Sequence, residues 1–281
     1  MPQRYVVTHL SPGSGRPATA PGLTSTDVIR LLRVLLTAVL ALTVLAGCGR
    51  QSVPAPSAAV GTRLDQALPS GIAHLHLVDS TGRTRTLADL RGKVIVLQDS
   101  MTLCQETCPM DTAALLRTAR AVDAAGLGHE VVFVTATVDP QRDTPHQLAA
   151  YRRLYVDAHG DPSNWMLLTG SARAVDALWS DLGVYRKRVG SDDDPPPRNW
   201  RTGAPLTYDI EHSDEAFFFD QHLHERFILE GMPTATRSGI PQRIYRFLSK
   251  EGRDNLHSAG DWTTAQAVQV VSWLTDREIT S

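Results

Sequence analysis

Apolar positions along this chain change period several times, and each change marks an element. From Val131 to Val138 the run VVFVTATV is continuous and β-branched, the pattern of a strand buried on both faces. Val94–Leu97 and Trp165–Leu168 are shorter runs of the same kind. Helix-length stretches lie between them. Pro109 has no backbone N–H to donate and suits a first helical turn, so a helix is expected from about Cys108 through Ala125, stopped by Gly126 and Gly128. Thr144 caps a helix from Pro145 to about Val156, and Ser171 caps another to Leu182. An amphipathic helix over Thr263–Thr275, capped by Asp261 or Thr263, closes the domain. Strands alternating with helices predict an α/β domain with a central mixed sheet.

Weaker patterns fill the remainder. Ile72–Val78 alternates apolar and polar residues and is read as an edge strand, turned at Thr81-Gly82-Arg83. Ala216–Phe219 and Arg226–Leu229 form a hairpin, and 188–206, with its aspartates and prolines, forms a long loop. No internal repeat is visible.

The first 27 residues are polar and lack a hydrophobic period, so Val28 is a candidate for a later start. Arg30 and Arg33 stand at the head of an apolar run that ends in Leu45-Ala46-Gly47-Cys48. A basic head, an apolar middle and a small-residue cleavage site form a secretory signal. The ending resembles the lipobox of bacterial lipoproteins, in which the cysteine, here Cys48, is acylated. The alternative is a single uncleaved transmembrane anchor. Either places the domain outside the cytoplasm, attached to the membrane. The expected organisation is an n-region and signal over 1–47, a proline-bearing linker over 48–61, and one domain over 62–281.

Composition changes this picture little. Hydrophobic residues make up 42% and charged residues 21%, ordinary for a globular protein. A net charge of -2 and a pI near 6.5 provide no basic field, so no nucleic-acid partner is expected.

The cysteines change it more. There are three, and with Cys48 assigned to the membrane only Cys104 and Cys108 remain, four residues apart at a helix start. Such a pair is expected to serve redox or soft-metal chemistry. The positive end of the helix is expected to lower the thiol pKa values, and the pair can close as a disulfide or hold a metal. Gln105, Glu106 and Thr107 make the intervening loop too polar for an inert core site. A selective soft-metal site asks for a third donor, and His74, His76, His129, His146, His159, His212, His222, His224 and His257 are all candidates. His74 and His76 are read as a solvated pair, and so are His222 and His224. Met101 is read as packing, and the aspartates at 192–194 as a solvated loop rather than a calcium site.

Motif context separates the candidates. Gly92-Lys93, Thr102, Cys104 and Cys108-Pro109 are followed by Val138-Asp139-Pro140-Gln141-Arg142-Asp143-Thr144-Pro145 and Tyr151, then Leu168-Thr169-Gly170, then Tyr208 and Glu211-His212. In that order, from about Gly61 to Thr275, the chain resembles the Sco/SenC proteins, thioredoxin-fold copper chaperones for the binuclear copper centre of cytochrome c oxidase. The resemblance implies a thioredoxin-like fold and copper, Cu(I) or Cu(II), as the bound metal. It implies Cys104, Cys108 and His212 as ligands, with His212 arriving from a separate loop and Asp139 shaping the site. The implied partner is the apo form of the copper-bearing oxidase subunit.

Four departures accompany it. Gln105 replaces a usual proline, Asp99-Ser100-Met101 replaces a strand end that is normally aromatic, Glu211 replaces an aspartate, and Gly231–Asp261 is longer than usual. Asp99 is expected to make the approach to the thiols more polar and acidic. Two functions are weighed: a metallochaperone, and a thiol–disulfide oxidoreductase acting through the Cys104/Cys108 dithiol on the acceptor's cysteines. Cys-x3-Cys spacing and the extra histidine favour copper.

Overall fold

The computed structural model describes residues 25–26, 52–191 and 195–280. The signal segment, Cys48 and the aspartate run 192–194 therefore lie outside the described residues. Among the described residues, no helix is long and apolar enough to cross a membrane.

From Ser52 onward the chain forms one compact unit. Its strands are β1 (Thr62–Ala67), β2 (Leu77–Asp79), β3 (Thr84–Arg85), β4 (Val94–Ser100), β5 (Val131–Thr137), β6 (Trp165–Gly170), β7 (Arg186–Gly190), β8 (Tyr208–His212), β9 (Glu215–Phe219) and β10 (His224–Glu230). Its helices are α1 (Ser70–Ala73), α2 (Cys108–Ala124), α3 (Pro145–His159), α4 (Ala172–Asp181), α5 (Gln242–Phe247), α6 (Lys250–Asn255) and α7 (Thr264–Thr275).

Eight strands make one mixed sheet in the order β1-β10-β9-β4-β5-β6-β2-β3, while β7 and β8 pair separately. β4, β5 and β6 are parallel; β9 runs antiparallel to β4, and β10 antiparallel to β9. The β4-α2-β5 unit followed by β9-β10-α7, in spatial order β10-β9-β4-β5, is a thioredoxin-like core. β4 and β5 are buried along their whole length, as parallel strands covered on both faces must be. Val94 and Val96 face one apolar layer, with Met110, Phe218 and Val271; Ile95 and Leu97 face the other, with Phe217, Trp179 and both thiols.

Local chemistry fixes the helix ends. Pro109 occupies the first turn of α2, and Gly126, at φ 78°, takes the left-handed conformation that ends it. The Thr144 side chain accepts from Gln147 N–H at the start of α3. Thr263 and Gln266 form a capping box on α7.

The expected strand Ile72–Val78 does not form as one element. Its first half is α1, which begins after Pro69, and only Leu77–Asp79 is strand. That strand is interior, paired with β6 and β3. His74 therefore ends a helical turn, its Nδ1 2.8 Å from Ser70 O, and shares no strand face with His76. The long loop begins after Gly190, because β7 takes up 186–190 to pair with β8.

Candidate metal centre

Three elements converge at the C-terminal end of β4. Asp99 is the penultimate residue of that strand, Cys108 the first of α2, and His212 the last of β8. His212 thus arrives on a strand rather than a loop, with Arg186 opposite it in register.

The Asp139–Asp143 loop holds β8 in place. Arg142 pairs with Asp139 and donates from Nη1 to Tyr208 O at 2.6 Å. The Tyr208 ring lies between two guanidinium groups, Arg142 at 3.9 Å and Arg188 at 3.7 Å, and its hydroxyl donates to Asp139 Oδ1 at 3.2 Å. Asp139 accordingly orients β8 and, among the described residues, makes no hydrogen bond to either thiol.

The cysteine loop is pinned on two sides. Asp143 accepts from Thr102 N–H at 3.1 Å, Thr102 Oγ1 at 2.5 Å and Thr137 Oγ1 at 2.7 Å, which fixes the turn leading to Cys104. Gln105 O accepts from Ser249 N–H at 3.0 Å and Ser249 Oγ at 3.3 Å. Gly252 packs so closely that a Cβ there would meet Gln105 O at 2.1 Å. The long Gly231–Asp261 segment thus brings the start of α6 down onto the cysteine loop.

Cys104 and Cys108 are free thiols, and both are buried. Cys108 Sγ stands 3.4 Å from His212 Nε2, and Glu106 N–H donates to Cys104 Sγ at 3.4 Å. Among the described residues, His212 is the one histidine with a ring nitrogen in hydrogen-bond reach of a cysteine sulfur. His224 instead meets Asp65 at 3.2 Å. His212 Nδ1 lies 2.6 Å from Asp99 Oδ2 and 2.7 Å from Ser213 O, and Asp99 Oδ1 accepts from Glu215 N–H at 3.0 Å. With Nδ1 committed to these oxygens as a donor, Nε2 is turned toward the sulfur. A metal-ligating imidazole adopts this posture, its far N–H held by a carboxylate.

The electrostatics reverse one expectation. Both thiols are pushed above the ordinary cysteine range rather than below it. For Cys104 the hydrogen bond to Cys108 is the main cause, followed by burial and the charge of Cys108. Burial raises Cys108, with the Cys104 hydrogen bond partly offsetting it. A helix terminus offers only a fractional charge, and complete desolvation of a thiolate outweighs it. Burial pulls His212 down, yet the Asp99 hydrogen bond and charge outweigh that and lift it to about 10. Burial also raises Asp214, and it raises Glu215 to about 7 with the help of Asp99's charge. Asp111, one turn into α2, is raised well above the carboxylate range by burial and by Asp214, and neither of its oxygens has a hydrogen-bond partner among the described residues.

A cavity of about 400 Å³ opens over the site, lined by Met101, Cys104, Glu106, Tyr185, His212 and Asp214. Two donor sets meet at His212. Through Nε2 it meets Cys108, which is hydrogen-bonded to Cys104; through Nδ1 it joins Asp99 and Asp214, and the ligand atoms of these three residues lie within 4.8 Å of one another.

Some site residues carried no signal in the sequence. Asp214 follows His212 by two positions in an ordinary polar stretch, and Ser249 and Gly252 reach the cysteine loop from more than a hundred residues away. Glu211 is exposed on β8 opposite Lys187.

The SCO1/SenC family model matches residues 67–235. The chain is 32% identical over 124 residues to protein SCO2 homolog, mitochondrial, from Homo sapiens, covering 44% of each chain. It thus spans less than half the length of that relative. It is 33% identical over 148 residues to protein SenC from Rhodobacter capsulatus, covering 52% of this chain and 58% of the other. Among solved structures, a SCO1/SenC family lipoprotein from Bacillus anthracis matches at TM-score 0.47 and 23% identity, over 70% of this chain and 96% of that one. ScoI from Bradyrhizobium japonicum, solved with copper bound, matches at TM-score 0.44 and 21% identity, over 62% and 97%.

Proposed function

Because this chain belongs to the SCO1/SenC family, we propose that it is a copper metallochaperone that binds its cargo through Cys104, Cys108 and His212. The acceptor is the apo copper-bearing subunit of cytochrome c oxidase. The domain works outside the cytoplasm, tethered to the membrane through a lipid on Cys48.

The observation that carries this reading is the contact of Cys108, itself hydrogen-bonded to Cys104, with an imidazole nitrogen whose partner nitrogen is held by a buried carboxylate. Two sulfurs and one nitrogen form a soft donor set that suits copper better than oxygen-preferring cations. The alternative set, with Asp99 and Asp214, would use Nδ1, which is already engaged, and Asp99 Oδ1 is engaged by Glu215 N–H. The thiol set is therefore the better fit.

Loading displaces protons, since each thiol is protonated at neutral pH and His212 holds its proton strongly. The cavity over Cys104 and His212 leaves room for an acceptor's ligand, so the cargo can pass by stepwise exchange of donors. Thiol–disulfide exchange as the main activity fits less well: two buried thiols with raised pKa values supply little attacking thiolate at pH 7.

Metal stoichiometry of the full chain and its variants tests the reading. Cys104→Ala and Cys108→Ala each lose stoichiometric Cu(I), while His212→Ala retains Cu(I) weakly and loses most Cu(II) affinity. Parent-level Cu(I) binding by either cysteine variant would refute the assignment.

A further inference from the structure

On the flank of α2 away from the thiols, a second cavity of about 280 Å³ opens between that helix, the 234–239 segment and the start of α7. Its polar lining consists of Arg117, Arg120, Thr234, Thr236, Ser238 and Thr264. Neither arginine forms an ion pair among the described residues. Arg120 is half-buried; its Nη2 is shielded from solvent with no hydrogen-bond partner among the described residues, so the residue borders the cavity through its other atoms.

The hydroxyls around it have donors to spare. Thr234 Oγ1 accepts from Gly260 N–H at 3.2 Å, leaving its own O–H free to donate. Thr236 and Ser238 hydroxyls are 3.0 Å apart, so one donates to the other and one O–H remains. Thr264 is the first residue of α7, a twelve-residue helix, so the positive end of its dipole borders the cavity. Behind the arginine, burial and, after it, Arg120's charge hold half-buried His159 below its usual pKa against a hydrogen bond with the Gly239 backbone. The lining is thus rich in cations and donors and has no carboxylate.

We propose that this cavity binds a phosphate-type oxyanion, with Arg117 and Arg120 pairing with its charge and the hydroxyls donating to its oxygens. Several oxygens with multiple lone pairs match this many donors better than a single carboxylate does. The volume is several times that of one water's share of the liquid, roughly 30 Å³, so a phosphomonoester can enter as well as free phosphate. The site is independent of the thiol centre and of the copper reading.

Calorimetric titration of the detergent-solubilised full chain with inorganic phosphate, and separately with glycerol 3-phosphate, tests it. Saturable one-site binding is expected, weakened roughly tenfold or more in Arg120→Gln, as for a lost charge-assisted contact. Tighter binding of glycerol 3-phosphate identifies a phospholipid headgroup as the source; equal binding identifies free phosphate. Thr236→Val with Ser238→Ala, which leaves both arginines in place, must also weaken binding, so the test survives if the arginine variant fails to fold. No saturable binding of either anion, or unchanged affinity in the variants, overturns the proposal.

Discussion

Asp99 and His212, 113 residues apart in the chain, meet at 2.6 Å between Oδ2 and Nδ1, and this contact orients the imidazole toward Cys108. Asp99 is fully buried at the end of β4, where its charge has no access to water. Its other oxygen takes Glu215 N–H, which ties the short connection between β8 and β9 to the same carboxylate.

Removing that carboxylate frees the ring. Asp99→Ala is expected to lower copper affinity by roughly 10- to 100-fold, the usual effect of losing a partner that orients a ligand. The variant should keep both thiols titratable by a disulfide reagent after unfolding. Competition with a chromophoric copper chelator measures the effect; unchanged affinity would mean the ring is positioned without Asp99.

The contact between Gly252 and Gln105 sets a second expectation. In Gly252→Ala the new methyl would collide with backbone, so α6 must withdraw from the cysteine loop. Overpacking of this kind costs roughly 1–3 kcal/mol. Alkylation of Cys104 in the folded protein should speed up as the loop loosens. Denaturant unfolding and mass-resolved alkylation read the two effects, and a variant as stable and as slow to react as the parent would show that the segment does not restrain the loop.

Asp143 gives a pH dependence. Burial is the largest influence on it and lifts its pKa to about 6, against hydrogen bonds from Thr102 and Thr137 that pull the other way. The folded state therefore holds this proton more tightly than the unfolded chain. Its contribution to stability is complete below the unfolded value of 3.8 and is lost as pH rises through about 6. Asp143→Asn removes that loss, so its stability relative to the parent should improve between pH 4 and pH 7 by roughly 2–3 kcal/mol. Urea unfolding at the two pH values is the measurement; a constant difference would refute a buried, titrating Asp143.

Much of this fold can be read along the chain where burial dominates. β4, β5 and α2 carry continuous apolar runs and a proline–glycine pair at the helix ends, and they lie where those patterns place them. β1 is almost wholly exposed and β8 half-exposed, so TRLDQA and YDIEH carry no alternation to betray a strand. α5 and α6 are six residues each and depend on contacts, not period. At the site, motif order points to His212, and the structure places its Nε2 3.4 Å from Cys108 Sγ. The thiol pKa values were not legible, because a helix start is visible in a sequence and the desolvation of the sulfurs beneath it is not.

The central claim is that copper sits between two sulfurs and one imidazole nitrogen. X-ray absorption of the Cu(I)-loaded full chain tests this most directly. The account predicts a shell of two sulfurs and one nitrogen in the parent, and in His212→Ala the same two sulfurs with the nitrogen gone. A shell of oxygen and nitrogen alone, as Asp99, His212 and Asp214 would provide, or a spectrum unchanged by His212→Ala, would contradict it.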